Sequence, residues 1–186
     1  MEKSQPTAII LYGAIAAGKL TVGTLLVKKL GYSLTHNHLL NDLVWSVLKR
    51  DKPESGALIE KLRYVLYEGA IKAGNSIVVT HAYSHTYVAR TGLSDPQYLK
   101  TLEKKLEKAG GRVFFVHLRT DEKTLLKRVK GESRKKYEKL TDIKSLKEII
   151  AREDFNTSAP VKNNLVIDNT ELDPKKVVQM IIKHLK

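Results

Sequence analysis

The chain contains no cysteine. That excludes a disulfide framework, thiol chemistry and cysteine-zinc sites, and the composition suits the cytosol. No apolar run approaches the ~20 residues that a membrane-crossing helix needs, so no membrane partner is expected. The apolar start, Ala8 to Ala17 after Lys3, has the outline of a secretory signal core. Gly13 interrupts it and it runs straight into Gly18-Lys19, so it is taken as a first strand with the loop behind it. Internal repeats, low-complexity tracts and dividing linkers are missing too. With 42% apolar residues in a length of 186, one domain spanning 1–186 with a sizeable core is expected.

Acid is in short supply. Lys and Arg number 33 against 20 Asp and Glu, a formal charge of +13. The excess crowds the second half, at Lys123 to Lys139 and Lys175 to Lys186. Such charge permits a nucleic-acid partner. Much of it alternates with Glu, as in Leu102-Glu103-Lys104-Lys105-Leu106-Glu107-Lys108, the pattern of a solvated helix face. No stretch combines aromatic and basic residues in a nucleic-acid-binding motif, so a small-molecule partner is favoured.

What is present in strength is Gly13-Ala14-Ile15-Ala16-Ala17-Gly18-Lys19-Leu20-Thr21. The spacing is Gly, four residues, Gly-Lys, then a hydroxyl one place later than usual. Glycines let the backbone curl so that successive N–H groups point inward, and the lysine reaches outer phosphates. A following helix adds its positive N-terminal end. The context agrees: Thr7 to Tyr12 is a short, β-branched apolar run, and Leu20, Thr24, Leu26, Val27 and Leu30 fall at helical spacing before Gly31. Strand, glycine loop and helix together make a phosphate-binding P-loop.

Further β-branched runs at Tyr32–Thr35, Ser76–Thr80, Arg112–Leu118 and Asn164–Ile167 follow the first. Helical patterns lie between and after them, at Lys19–Leu30, His38–Leu48, Ala57–Ala73, Asp95–Ala109, Thr120–Lys130, Asp142–Asp154 and Asp173–Lys186, with Asp95-Pro96, Thr120-Asp121-Glu122 and Asp173-Pro174 marking three starts, each a cap residue with an acid or proline in the first turn. This alternation implies an α/β fold with a parallel sheet covered on both faces. Ligands of such sheets bind beyond the carboxyl ends of the strands, so the residues just past each strand are the candidates.

After the second strand stands Thr35-His36-Asn37-His38, then Asn41 and Asp42. Asn37 is a natural helix cap, and Asp42 shares a helical face with His38. His36, Asn37 and His38 are candidates for substrate contact, with metal ligation by the two imidazoles and plain capping as alternatives. Arg63 could fork onto a substrate carboxylate or phosphate, or lie on the surface near Glu60. The third strand ends in Thr80-His81 where many P-loop enzymes carry an aspartate for the magnesium shell, and His81 joins the substrate candidates. Leu125 to Arg128 ends a helix that breaks at Gly131 and yields the basic segment Glu132 to Lys139. A mobile arginine-bearing lid over about 129–141 suits phosphoryl transfer, the alternative being a solvated turn. Asp168-Asn169-Thr170 ends the last strand, where the backbone could hold an adenine or merely turn.

With these residues in hand, nearly the whole chain resembles the P-loop small-molecule and nucleotide kinases, closest in layout to shikimate kinase-like proteins. The resemblance implies a three-layer P-loop NTPase fold, a five-stranded parallel sheet in the order 2-3-1-4-5 with helices on both faces and a short lid, and substrate-binding helices over about 37–73. It implies ATP and Mg2+ as cofactors. Gly13, Ala14, Ile15, Ala16, Ala17, Gly18, Lys19, Leu20 and Thr21 would cradle the phosphates. Arg128 resembles the adenylate kinase arginine that covers adenine, and Arg134 the one that touches phosphates. Arg63 resembles the shikimate kinase arginine that grips a carboxylate. The sequence departs from the pattern at Leu20, where a metal-binding hydroxyl is usual, which leaves Thr21 as the metal candidate. It departs again at His36-Asn37-His38, where shikimate kinases have Asp-x-Asp, which argues against shikimate itself. Lys19, Arg134 and Asp42 are the catalytic candidates. The expected activity is ATP-dependent transfer of a γ-phosphoryl group to a small polar metabolite or nucleotide. Rivals are a polynucleotide 5′-hydroxyl kinase and a nucleotide switch with little turnover. No Asn/Thr-Lys-x-Asp motif is present, which favours ATP over GTP.

Overall fold

The computed structural model describes residues 5–131 and 140–186. Strand β1 (Thr7–Gly13) is buried along its whole length and forms the centre of a five-stranded sheet. Its neighbours are β3 (Ile77–Ala82) on one side and β4 (Arg112–Arg119) on the other. The short β2 (Ser33–Thr35) and β5 (Asn164–Asp168) form the edges, giving the order β2-β3-β1-β4-β5 with every pair parallel. This is the expected order.

Because side chains alternate across a strand, β1 feeds two cores. Ile9 and Leu11 join Val22, Leu26, Leu125, Leu146, Val177 and Ile181 on one face. These come from α1 (Lys19–Leu30), α5 (Glu122–Arg128), α6 (Ile143–Arg152) and α7 (Pro174–His184). Ala8, Ile10 and Tyr12 join Tyr67, Ile71, Tyr98, Leu99, Leu102 and Leu106 on the other. That face is covered by α3 (Pro53–Lys72) and α4 (Asp95–Lys108). Three layers result. A cut such as Leu26→Ala or Leu102→Ala, both residues being fully buried, would cost roughly 2–5 kcal/mol.

Two helix starts differ from expectation. α2 (Asn37–Trp45) takes His36 as its N-cap, with no side-chain cap hydrogen bond, so Asn37 is the first helical residue. The extended backbone at His36 sets this, and the Asn37 N–H is satisfied by Thr80 Oγ1 at 3.2 Å from the neighbouring strand. α4 is capped by Ser94, which accepts from the Gln97 N–H in a reciprocal capping box, so Asp95 also sits one place inside the helix. Its carboxylate is released for other work. The other expected caps, Asp121 and Asp173, each accept a hydrogen bond from the first helical turn, and so does Asp142.

Candidate active site

The P-loop closes the gap between β1 and α1. Gly13 leaves the strand at φ +137°, and a Cβ there would lie 2.3 Å from the Leu118 carbonyl oxygen of β4. Only a hydrogen fits. Gly18 adopts φ 87° at the N-cap of α1, and Ala16 carries φ 68°, a left-handed conformation that costs an L-residue about 1–2 kcal/mol. No side chain caps α1 and no acid stands in its first turn, so this helix end offers its field to an anion. Lys19 Nζ donates to the carbonyls of Gly13 at 2.8 Å and Ala14 at 2.6 Å, holding its charge inside the loop.

The loop forms one end of a cavity of about 810 Å³. From Ile15 to Thr21 every loop residue lines it, as do Arg128, Asn169, Leu172 and Pro174 beside the loop. Across the cavity stand His36, Asn37, His38, Asn41, Trp45 and Arg50, with Thr80 and Ala82 of β3 between the two groups. Sequence-distant candidates therefore meet: Lys19, Arg128, Thr21, His36, Asn37 and His38 face one space. Arg128 Nη2 donates to the carbonyls of Asn169 at 3.0 Å and Thr170 at 3.2 Å, while its Nη1 is buried with no partner among the described residues. Arg134 lies outside the described residues; Gly131 and Leu140, on either side of that stretch, both line the cavity.

Three candidates do not line the cavity. Asp42 is exposed and lies 3.7 Å from His38 Nδ1. Arg63 is only 8% exposed and donates from Nη2 to Asn41 Oδ1 at 2.8 Å. It is a buried arginine, not a surface partner of Glu60. His81 is buried, its Nε2 3.3 Å from Asp95 Oδ1 and its ring stacked on Tyr98 at 4.7 Å. Asp95 Oδ2 also accepts from the Ser84 N–H at 2.9 Å. Burial pushes His81 below the usual imidazole range, with Asp95 only partly opposing it.

The sheet register puts His81, Tyr12 and His117 side by side across β3, β1 and β4, just before the loop begins. His117 stacks on Tyr12 at 4.6 Å; its Nε2–H donates to the Phe155 carbonyl at 3.1 Å and its Nδ1 accepts from Ser158 Oγ at 3.0 Å. Burial lowers its pKa to about 4, so the ring is neutral.

Asn169 was not singled out from the sequence. It donates from Nδ2 to the Ala17 carbonyl at 2.8 Å, and its Oδ1 accepts from Thr120 Oγ1. It thus stitches the P-loop to the ends of β4 and β5. Its flanks serve the turn itself: the Thr170 N–H donates to Asp168 Oδ1, and Thr170 Oγ1 accepts from the Asp121 N–H.

A triphosphate fits this end, given the uncapped helix, the loop glycines and the two cations Lys19 and Arg128. For a metal ion the described residues offer the hydroxyls of Thr21 and Thr80, and no cluster of three His, Cys, Asp or Glu. A magnesium ion here would be held chiefly by phosphates and water, as that ion commonly is. No described helix is long and apolar enough to cross a membrane.

No protein-family model matches the chain, and no curated protein matches it. Solved structures do. A protein from Chloroflexus aurantiacus provisionally described as a kinase matches with a TM-score of 0.71 and 18% identity, over 98% of this chain and 100% of its own. A sugar kinase from Janibacter gives 0.66 and 15%, over 97% and 94%. A shikimate kinase from Aquifex aeolicus gives 0.53 and 17%, over 96% of each. At these identities the likeness is one of fold. Sheet order, loop and neighbours define the class: the chain has the three-layer α/β fold of the P-loop small-molecule kinases.

Proposed function

We propose that the protein is an ATP-dependent phosphotransferase acting on a small polar molecule. One observation carries this reading: a single cavity joins the phosphate loop to a second polar wall on α2, so a donor phosphate and an acceptor can share one space. The loop N–H groups and the α1 N-terminus hold the β- and γ-phosphates. Lys19, now resting on two loop carbonyls, moves to the phosphates and stabilises charge as the transferred group loosens. Arg128 supplies a second cation at the same end. Magnesium, bound with the nucleotide, neutralises phosphate charge.

On the opposite wall His36, Asn37, His38 and Asn41 orient the acceptor. Asp42 acts through His38 and Arg63 acts through Asn41. Closure of the donor and acceptor within one pocket supplies most of the rate by positioning.

The test is nucleotide consumption with ATP and magnesium across nucleosides, nucleotides, sugars, sugar phosphates and hydroxy acids. Lys19→Ala is expected to lower turnover by roughly 10³-fold, as for other charge-stabilising groups, with the fold intact by circular dichroism. Turnover that survives Lys19→Ala would overturn the assignment.

A further inference from the structure

The cavity wall holds no carboxylate among the described residues. Its ionised groups, Lys19, Arg50 and Arg128, are all cations, spread over both ends. At the α2 end Arg50 stacks on Trp45 with its guanidinium 4.0 Å from the ring centroid, which fixes a cation at the mouth. Asn41 is oriented by what stands behind it. Its Oδ1 accepts from Arg63, so its amide NH2 is the end left to face a ligand.

Arg63 itself is the telling group. Its guanidinium is buried, its Nε has no partner among the described residues, and no described carboxylate pairs with it. The phenols around it, Tyr64, Tyr67 and Tyr98, are all pushed up by burial and stay neutral, so they give it no counter-charge. A buried cation without an anion is expensive, and an anion arriving one residue away at Asn41 would compensate it. A single acceptor atom breaks the pattern: Asn37 Oδ1 is buried without a partner among the described residues and calls for a donor on the body of the ligand.

We propose that the acceptor is a phosphate monoester whose phosphate sits at the α2 end against Asn41 and Arg50, and that the attacking atom is a phosphate oxygen rather than a hydroxyl. The inference rests on the phosphotransferase reading above. A hydroxyl acceptor has a proton to lose; among the described residues no carboxylate lines this wall, and the groups there that could take a proton are the imidazoles of His36 and His38. A phosphate monoester has a second pKa near 6 and is already a dianion at neutral pH, so no base is required. In the step, an acceptor phosphate oxygen forms a bond to the γ-phosphorus while the γ-phosphorus–bridging oxygen bond breaks. The electron pair leaves with ADP, the acceptor becomes a diphosphate, and no proton moves.

The experiment uses the full chain saturated with magnesium and a non-hydrolysable imido analogue of ATP, which fills the γ-phosphate position. Inorganic phosphate is then titrated calorimetrically as the probe. One phosphate is expected to bind the nucleotide-loaded protein. Arg63→Gln is expected to weaken phosphate by about 10-fold, the scale of one charge-assisted contact, with nucleotide affinity unchanged. Arg50→Ala, at an exposed position, is expected to do the same should Arg63→Gln fail to fold. Matched pairs of compounds, each with and without a phosphate ester, are then compared for Lys19-dependent turnover, the phosphorylated member being expected to react. The inference is overturned if the nucleotide-loaded protein takes up no phosphate, if a folded Arg63→Gln or Arg50→Ala binds it as before, or if the unphosphorylated member is the faster acceptor. Nucleotide binding and Lys19 dependence that persist under those results would leave the kinase reading standing; their absence would remove both.

Discussion

The two ends of the cavity are built in opposite ways. The P-loop end is made of backbone: the nine residues from Gly13 to Thr21 end one strand and begin one helix, and the groups they offer are N–H dipoles, one lysine and one hydroxyl. The α2 end is made of side chains, His36, Asn37, His38, Asn41, Trp45 and Arg50, backed by Arg63 from a different helix. A backbone site is tied to the stability of the fold, because its geometry is the fold's geometry. A side-chain site can be altered with little structural cost, and this is where such proteins are free to change acceptor. Two buried neutral histidines stand in the sheet just before the loop, His117 stacked on Tyr12 and His81 against Asp95.

The sharpest way to break this comparison is Gly13→Ala. The added methyl meets the Leu118 carbonyl at 2.3 Å in a φ +137° backbone, so strand β1 must shift against β4. A loss of about 4 kcal/mol or more in urea unfolding is expected, together with loss of nucleotide binding. A stable variant that still binds nucleotide would show that the loop is not fixed by the sheet.

Acid should act next. His117 has a folded-state pKa of about 4, below the ordinary imidazole value near 6.5. The neutral ring is therefore favoured in the folded protein; its stabilisation is fully present above pH 6.5 and is lost as pH falls from 6.5 towards 4. The linked change is of order 3 kcal/mol, and His81, lowered by burial as well, adds in the same direction. Urea midpoints measured across that range should fall, and His117→Gln should flatten the fall. An equal pH dependence in His117→Gln would assign the effect elsewhere.

Asn169→Ala removes the hydrogen bond that holds the Ala17 carbonyl and leaves Thr120 Oγ1 without its acceptor. A cost of roughly 1–3 kcal/mol is expected, with weaker nucleotide binding and an unchanged acceptor KM. A change in acceptor KM alone would place Asn169 with the wrong end.

The contrast between the ends also explains what was legible in the sequence. The strand, the P-loop and α1 depend on neighbours within about 25 residues, and the sheet order followed from the family layout that the loop and the strand–helix alternation suggested. Lys19 and Thr21 could be read as candidates because both stand in one local motif. Asn169 could not, since its partner Ala17 is 152 positions away and only the crossing of β5 beside β1's loop brings them together. Its one local sign was its place just past the last apolar run. Arg63 and His81 were legible as polar candidates, one in a helix and one at a strand end, but their burial depends on α4 packing over both, which no local pattern encodes. Asp95 looked like a cap because it precedes Pro96; the real cap, Ser94, is chosen by its reciprocal bond with Gln97, and the carboxylate serves His81 instead.

The smallest expected effect sharpens the comparison most. Arg63→Met replaces a buried guanidinium lacking a carboxylate partner by an apolar side chain of similar length. At a backbone-built site such a change would be destructive. Here the lost bond leaves Asn41 Oδ1 beside a cavity open to water, while an uncompensated buried charge disappears. The thermal midpoint should hold or rise, by about 1 kcal/mol equivalent at most, because an apolar replacement for a buried charge is often neutral or stabilising. Acceptor KM should rise while nucleotide KM stays put. That pairing, stability kept and acceptor binding lost, is the signature of a group retained for its ligand rather than for its fold. A fall of several kcal/mol with both KM values moved together would instead make Arg63 part of the scaffold, and would erase the distinction between the two ends at the residue where it is most exposed to test.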